Sequence, residues 1–91
     1  MLMIRRVEGP SMLPTYTPGT VVFGLRWVRP LPGKVVIADL HGREIIKRVA
    51  DVGVRGYFLL GDNTGSSSDS RKYGWFKPQS IKSVIIGSIL R

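Results

Sequence analysis

Apolar residues in this chain come in short β-branched runs, broken every few positions by Gly or Pro. That is the pattern of strands and turns, and no stretch sustains the helical period. The runs predict strands over residues 4–8, 20–26, 34–40, 43–52, 57–60 and 81–90. Gly24 interrupts the second as a bulge or a point of close approach. His41-Gly42 is a tight turn that makes a hairpin of the third and fourth. Residues 27–33 hold Pro30, Pro32 and Gly33 and read as a loop. Residues 61–75 show no apolar period and form a long polar loop, a kind that in small domains is functional or disordered. Pro78 is placed to start one helical turn over 77–80. The expected architecture is all-β, a small coiled antiparallel sheet or partly open barrel, in one domain over 1–91.

Residues 7–20 stand apart. The segment carries three prolines and two glycines, so it is neither a regular helix nor a central strand. It also carries Met12, Leu13 and Tyr16, which a purely solvated loop does not need. Such a segment either holds the Ser11 hydroxyl in a fixed position or is a turn between strands, and its composition alone leaves both open.

Composition narrows the chemistry. There are no cysteines, which excludes disulfides, thiolate metal sites and a thiol nucleophile. With one histidine, His41, no metal site is expected, and nothing calls for a cofactor. His41 sits in the hairpin turn close to Asp39 and reads as structural rather than as a base for a serine. The net charge of +8 favours anionic partners, but the cations are scattered and form no run. Trp27, Tyr73, Trp75 and Phe76 lie in or beside loops rather than on a sheet face, so nucleic acid is not the expected partner. Trp27-Val28 and Trp75-Phe76 either cap the core or, helped by the positive charge, touch an anionic membrane peripherally. No apolar segment is long enough to span a bilayer.

Without a usable histidine, the remaining base is lysine. A free lysine is protonated at neutral pH, and only burial among apolar groups lowers its pKa enough to make it a base. Lys47 is the lysine with apolar neighbours two residues away on both sides: alternation puts Ile45, Lys47 and Val49 on one face. It is either a buried base or a surface lysine whose stem covers its neighbours.

Four stretches, in order, resemble the signal peptidase I family. Residues 9–15, Gly-Pro-Ser-Met-Leu-Pro-Thr, resemble its nucleophile box. Residues 32–36, Pro-Gly-Lys-Val-Val, resemble its Gly-Asp-Val-Val strand entry, with Lys34 where Asp is usual. Residues 46–49, Ile-Lys-Arg-Val, resemble the box of the base lysine. Gly61-Asp62-Asn63, Ser67, Asp69-Ser70-Arg71 and Gly74 resemble the last box. The resemblance implies a serine endopeptidase with Ser11 as nucleophile and Lys47 as general base. It implies that Ser67 orients the lysine amine, and that Asp62 with Arg48 and Asp69 with Arg71 form ion pairs. It implies that the Ser11 backbone N–H holds the oxyanion. In some relatives a serine two residues before the nucleophile is a second donor; here Gly9 stands there, so that donor is missing.

The chain departs from the family in two ways: it shows none of the usual N-terminal membrane helices, and residues 49–60 replace an inserted second β domain. In size and layout, with Tyr73-Gly74 after the last box, it is similar to the short soluble proteases that mature nickel-type superoxide dismutase. The implied partner is a precursor polypeptide bound as an extended strand. The expected location is cytoplasmic, or peripheral at a membrane where an anchor has been trimmed away. Two other classes remain open: a self-cleaving repressor-type regulatory domain, and a non-catalytic basic β module that binds nucleic acid.

Overall fold

The computed structural model describes residues 1–65 and 68–89. Its strands are β1 (Leu2–Arg6), β2 (Val21–Leu25), β3 (Val35–Leu40), β4 (Arg43–Gly53), β5 (Gly56–Leu60) and β6 (Ile81–Ile89). They form one antiparallel sheet in the order β1-β2-β6-β3-β4-β5, which is not closed. The all-β expectation holds. Among the described residues no helix is long and apolar enough to cross a membrane.

β1 lies two residues earlier than the expected 4–8, because Leu2 and Ile4 register against Leu25 and Phe23. Val7 carries on the contact from beyond the strand end, donating to Thr20 O at 2.7 Å and accepting from Gly19 N–H at 2.8 Å. At Gly9 the chain takes φ +74 and leaves the sheet direction. His41 and Gly42 both have positive φ, which matches the twist of a two-residue hairpin turn between β3 and β4. Inside the long polar loop lies a helical turn the pattern did not predict, α1 (Ser70–Tyr73), capped by Asp69. The turn expected near Pro78 is a 3-10 turn over Pro78–Ser80.

The sheet has two apolar sides. β3 sits in the middle, and its alternation sends Val36 and Ala38 to one cluster and Val35 and Ile37 to the other. The first cluster also holds Ile45, Val49, Leu59, Phe76 and Val84. The second holds Val22, Ile85, Val7 and Met12, the last two from outside the strands. Register shifts at Phe23/Gly24, Ile37/Ala38 and Val49/Asp51 mark bulges, and bulges increase local twist. In this way a single sheet coils enough to bring the segment after β1 against the start of β4.

Gly24 is the bulge and the close approach that the pattern suggested. A Cβ built there would lie 2.3 Å from Ser83 Oγ and 3.0 Å from Ser83 Cβ. Ser83 Oγ is itself buried and has no hydrogen-bond partner among the described residues. We predict that Gly24→Ala destabilises by about 2 kcal/mol, the usual scale of overpacking. Ser83→Ala should be close to neutral, because it removes a buried hydroxyl that makes no bond. In the double variant Ser83→Ala should relieve part of the Gly24→Ala penalty, since the 2.3 Å clash disappears and the 3.0 Å approach stays. Denaturant unfolding of the three variants checks this; strict additivity would contradict the packing account.

Candidate active site

The segment after β1 is fixed by packing before any chemistry enters. Met12 is fully buried and belongs to the second apolar cluster, with Tyr16 packed against it. Leu13 N–H donates to Pro10 O at 3.1 Å and Tyr16 N–H to Met12 O at 2.9 Å, so the segment winds as consecutive turns. Leu13-Pro14 is a cis peptide. The partly buried Ser11 precedes the anchor Met12 directly, so its hydroxyl has little freedom to wander.

Lys47 comes from the opposite side. In β4 it alternates with Ile45 and Val49, both buried, and pairs in register with Val36. Its residue is only 5 % exposed, so it is not a surface lysine with a solvated head. Its Nζ lies 2.8 Å from Ser11 Oγ. Burial pushes the Lys47 pKa below the ordinary lysine value, because the ammonium loses its water. The Asp69 carboxylate pulls the pKa back up and the Arg43 guanidinium pushes it further down, both more weakly than burial.

Two ion pairs build the wall behind the lysine. Arg48 follows Lys47 and points the other way. It donates from Nε to Asp62 Oδ1 at 2.8 Å and from Nη2 to Asp62 Oδ2 at 2.7 Å, a two-pronged pair. Its Nη1 reaches Gly33 O at 2.8 Å. The Arg48 hydrogen bonds, with a smaller contribution from Thr15, hold the Asp62 carboxyl below its ordinary pKa. Asp69 is fully buried and accepts from Gly61 N–H at 2.9 Å, Arg71 N–H at 3.1 Å, Arg71 Nε at 3.0 Å and Arg71 Nη2 at 2.7 Å. It caps α1 and ties that turn to the end of β5, helped by Leu59 N–H donating to Ser70 Oγ at 2.8 Å.

The residues that connect this wall to Ser11 carry no role in the sequence reading. Asn63 N–H donates to Ser11 O at 2.9 Å, and Asn63 Nδ2 donates to Pro10 O at 3.0 Å. Thr15 Oγ1 donates to Asp62 Oδ2. Two consecutive residues, Asp62 and Asn63, therefore grip both ends of the turn around Ser11. The adjacent Gly-Asp-Asn and Pro-Thr pairs in the sequence were the available signal, but nothing in their spacing says that they touch.

Ser11, Lys47, Arg48, Asp62, Asp69 and Arg71 are thus gathered in one region. Ser67 lies outside the described residues. Gly9 lies two residues before Ser11, and a Cβ there would meet open space. The Ser11 backbone N–H has no acceptor among the described residues, which leaves it available to an oxyanion. His41 is elsewhere, in a T-shaped contact with Tyr73 at 5.9 Å between ring centroids. Trp75 packs edge-on to Phe58 at 5.2 Å, whereas Trp27 is 70 % exposed. Beside Ser11 opens a cleft of about 680 Å³, lined by residues 5–12 on one side and by 43–47 and Ser68 on the other. No group of His, Cys, Asp or Glu able to hold a metal ion occurs among the described residues.

No family model matches this chain, and no curated protein matches it.

Two predictions follow from this geometry. Replacing Lys47 by Met keeps the length of the side chain and removes the buried amine. A lysine whose folded pKa lies below its unfolded value weakens the fold fully at pH below the folded pKa. That penalty fades as pH rises toward the ordinary value of 10.5. Lys47→Met should therefore be more stable than the native chain at neutral pH. The gap should narrow as pH rises, and unfolding midpoints taken along a pH series read it directly. Asn63→Ala should cost about 1 kcal/mol through the lost side-chain bond to Pro10 O. It should also speed amide exchange in residues 10–16 more than in β3.

Proposed function

We propose that this chain is a serine endopeptidase of the signal peptidase I type, which cuts a precursor polypeptide bound as an extended strand to release an N-terminal leader or propeptide. The observation that carries the reading is the 2.8 Å contact between Ser11 Oγ and a lysine amine buried in an apolar strand. A surface lysine at that distance would be a charged donor and nothing more. A desolvated one can shed its proton and accept another, which is the property a base needs.

In this mechanism neutral Lys47 takes the Ser11 proton as Ser11 Oγ attacks the scissile carbonyl carbon. The oxyanion forms beside the Ser11 N–H. The Lys47 ammonium gives its proton to the departing amine, the C–N bond breaks, and an ester to Ser11 remains. Lys47 then takes a proton from water, whose oxygen attacks the ester, and Ser11 Oγ recovers its hydrogen as it leaves. Asp69 acts through charge: it favours the ammonium that forms transiently. Arg43 opposes it and, with burial, pushes the lysine pKa down. Asp62 and Asn63 hold the turn in place while Ser11 changes partners.

Substrate access is supported by two unused strand edges. Among the described residues, β1 pairs only with β2, and residues 43–47 of β4 pair only with β3, since β5 begins its pairing at Arg48. Both free edges line the cleft that ends at Ser11 and Lys47. An extended peptide can satisfy such an edge with main-chain hydrogen bonds. The order of the four sequence stretches supports a leader-removing activity, and the short 49–60 connection with Tyr73-Gly74 after the last stretch supports a precursor of the nickel-type superoxide dismutase kind. The exposed Trp27 and the net charge of +8 support contact with an anionic membrane during that work.

The test is incubation with a signal-peptide precursor and with a superoxide dismutase precursor, followed by mass spectrometry of the products. Ser11→Ala and Lys47→Ala should each lower cleavage by on the order of a thousandfold or more while the strand content is retained. The native rate should rise with pH through an apparent pKa below the ordinary lysine value. Full activity in either variant would overturn the assignment.

A further inference from the structure

Glu44, in the cleft, is held by side chains from two other strands. It lies on β4 three positions before Lys47, about 10 Å along the strand at the usual rise. Arg5, on β1 across the cleft, donates to it from Nε to Oε1 and from Nη2 to Oε2, the latter at 3.1 Å. Lys82, at the start of β6, donates to Oε2 at 2.8 Å. These bonds pull the Glu44 carboxyl down to about 2, so it stays charged throughout the working range. The three side chains are partly exposed, so the bridge is open to exchange rather than locked in a dry core. It joins the two strand edges that line the cleft, and it does so at the end of the cleft away from Ser11.

Charge at that end is unbalanced. Two cations hold one carboxylate, and Arg6 and Arg43 line the same cleft against Glu8 alone. An acidic side chain entering here can take the guanidinium of Arg5 while Glu44 keeps Lys82. A basic one would face several cations, and its one opposite charge would already be engaged. We propose that the Arg5–Glu44–Lys82 bridge is a specificity subsite that selects an acidic side chain in the bound strand, about three residues from the reacting carbonyl. The subsite rests on the reading of the cleft as a groove for an extended peptide. It explains why an edge-to-edge ion pair is placed inside that groove, where mere adhesion of strands would favour apolar side chains.

The experiment separates the subsite from the chemistry by measuring binding and cleavage apart. Short neutral Ala/Ser/Val peptides carry a single Glu, Gln or Lys moved along the chain one position at a time. Binding to Ser11→Ala protein is read by fluorescence anisotropy, and cleavage by native protein is read by mass spectrometry. At one position Glu should bind about two- to fivefold tighter than Gln, the range of a partly exposed ion pair, with Lys weaker still. The preference should shrink with added salt. Arg5→Glu should reverse the order of Glu and Lys at that position, and Arg5→Gln should flatten it without the added like charge. Equal binding of Glu, Gln and Lys peptides at every position would overturn the subsite, even if cleavage proceeds. Charge-graded binding with no cleavage of any peptide, the two precursors included, would overturn the Ser-Lys reading and leave the subsite standing. Absence of both binding and cleavage would overturn both.

Discussion

A lysine can be carried into an apolar strand only at the cost of its hydration, and Lys47 meets that cost by holding its proton more weakly. Most of what is unusual about the chain is arranged around this fact. Ile45 and Val49 flank it on the same face, and Val36 faces it across the ladder. The nearest relief is polar but uncharged, the Ser11 hydroxyl at 2.8 Å. A carboxylate in that place would stabilise the ammonium and leave a plain salt bridge. Asp69 acts on the lysine more weakly than burial does, and its oxygens are taken up by Arg71 and Gly61 N–H. Asp69 therefore does more than cap a helical turn: Arg71 holds in place the buried carboxylate that raises the lysine pKa.

The second constraint is that Ser11 sits in an irregular segment, which has no ladder to hold it. Two devices replace the ladder. From below, Met12 inserts into the apolar cluster of β2, β3 and β6. From the side, Asp62 and Asn63 take hold of Thr15, Ser11 and Pro10. Asp62 is in turn fixed to Arg48, the neighbour of Lys47. The two candidate catalytic residues thus share one support, since a shift of Arg48 moves both the lysine strand and the clamp on the serine turn. Such a closed circuit suits a site whose atoms must meet within a few tenths of an ångström.

Much of this was legible in the sequence. Strand positions followed from β-branched runs and turn residues, and the alternation of Ile45, Lys47 and Val49 already put the lysine on an apolar face. Gly24 announced a close approach, and Ser83 is what approaches. What stayed hidden is of two kinds. α1 is a turn held by one cap and one buried serine, too short to leave an apolar period. The contacts of Asn63 and Thr15, and the Arg5–Glu44–Lys82 bridge, join residues far apart in the chain. Their partners depend on how strongly the sheet coils, and the three bulges that produce the coil carry few marks in the pattern beyond Gly24.

Open edges in a small sheet invite pairing with a second copy, and proteins ordinarily blunt them with charge, bulges or cover. Here the edge of β1 and the 43–47 edge of β4 turn toward one cleft, where they flank the Ser11–Lys47 contact at one end and the Glu44 bridge at the other. The coil that brings serine to lysine also withdraws those edges from the outside. Charged side chains along them, Arg5, Arg6 and Glu8 on one and Arg43 and Glu44 on the other, discourage a flat apolar strand from docking. The same charges leave the main-chain groups unpaired for an extended chain of suitable composition. If the cleft takes an extended peptide as proposed, protection against aggregation and selection of a ligand are one property, because both depend on which side chains an incoming strand must bring past the charged rim.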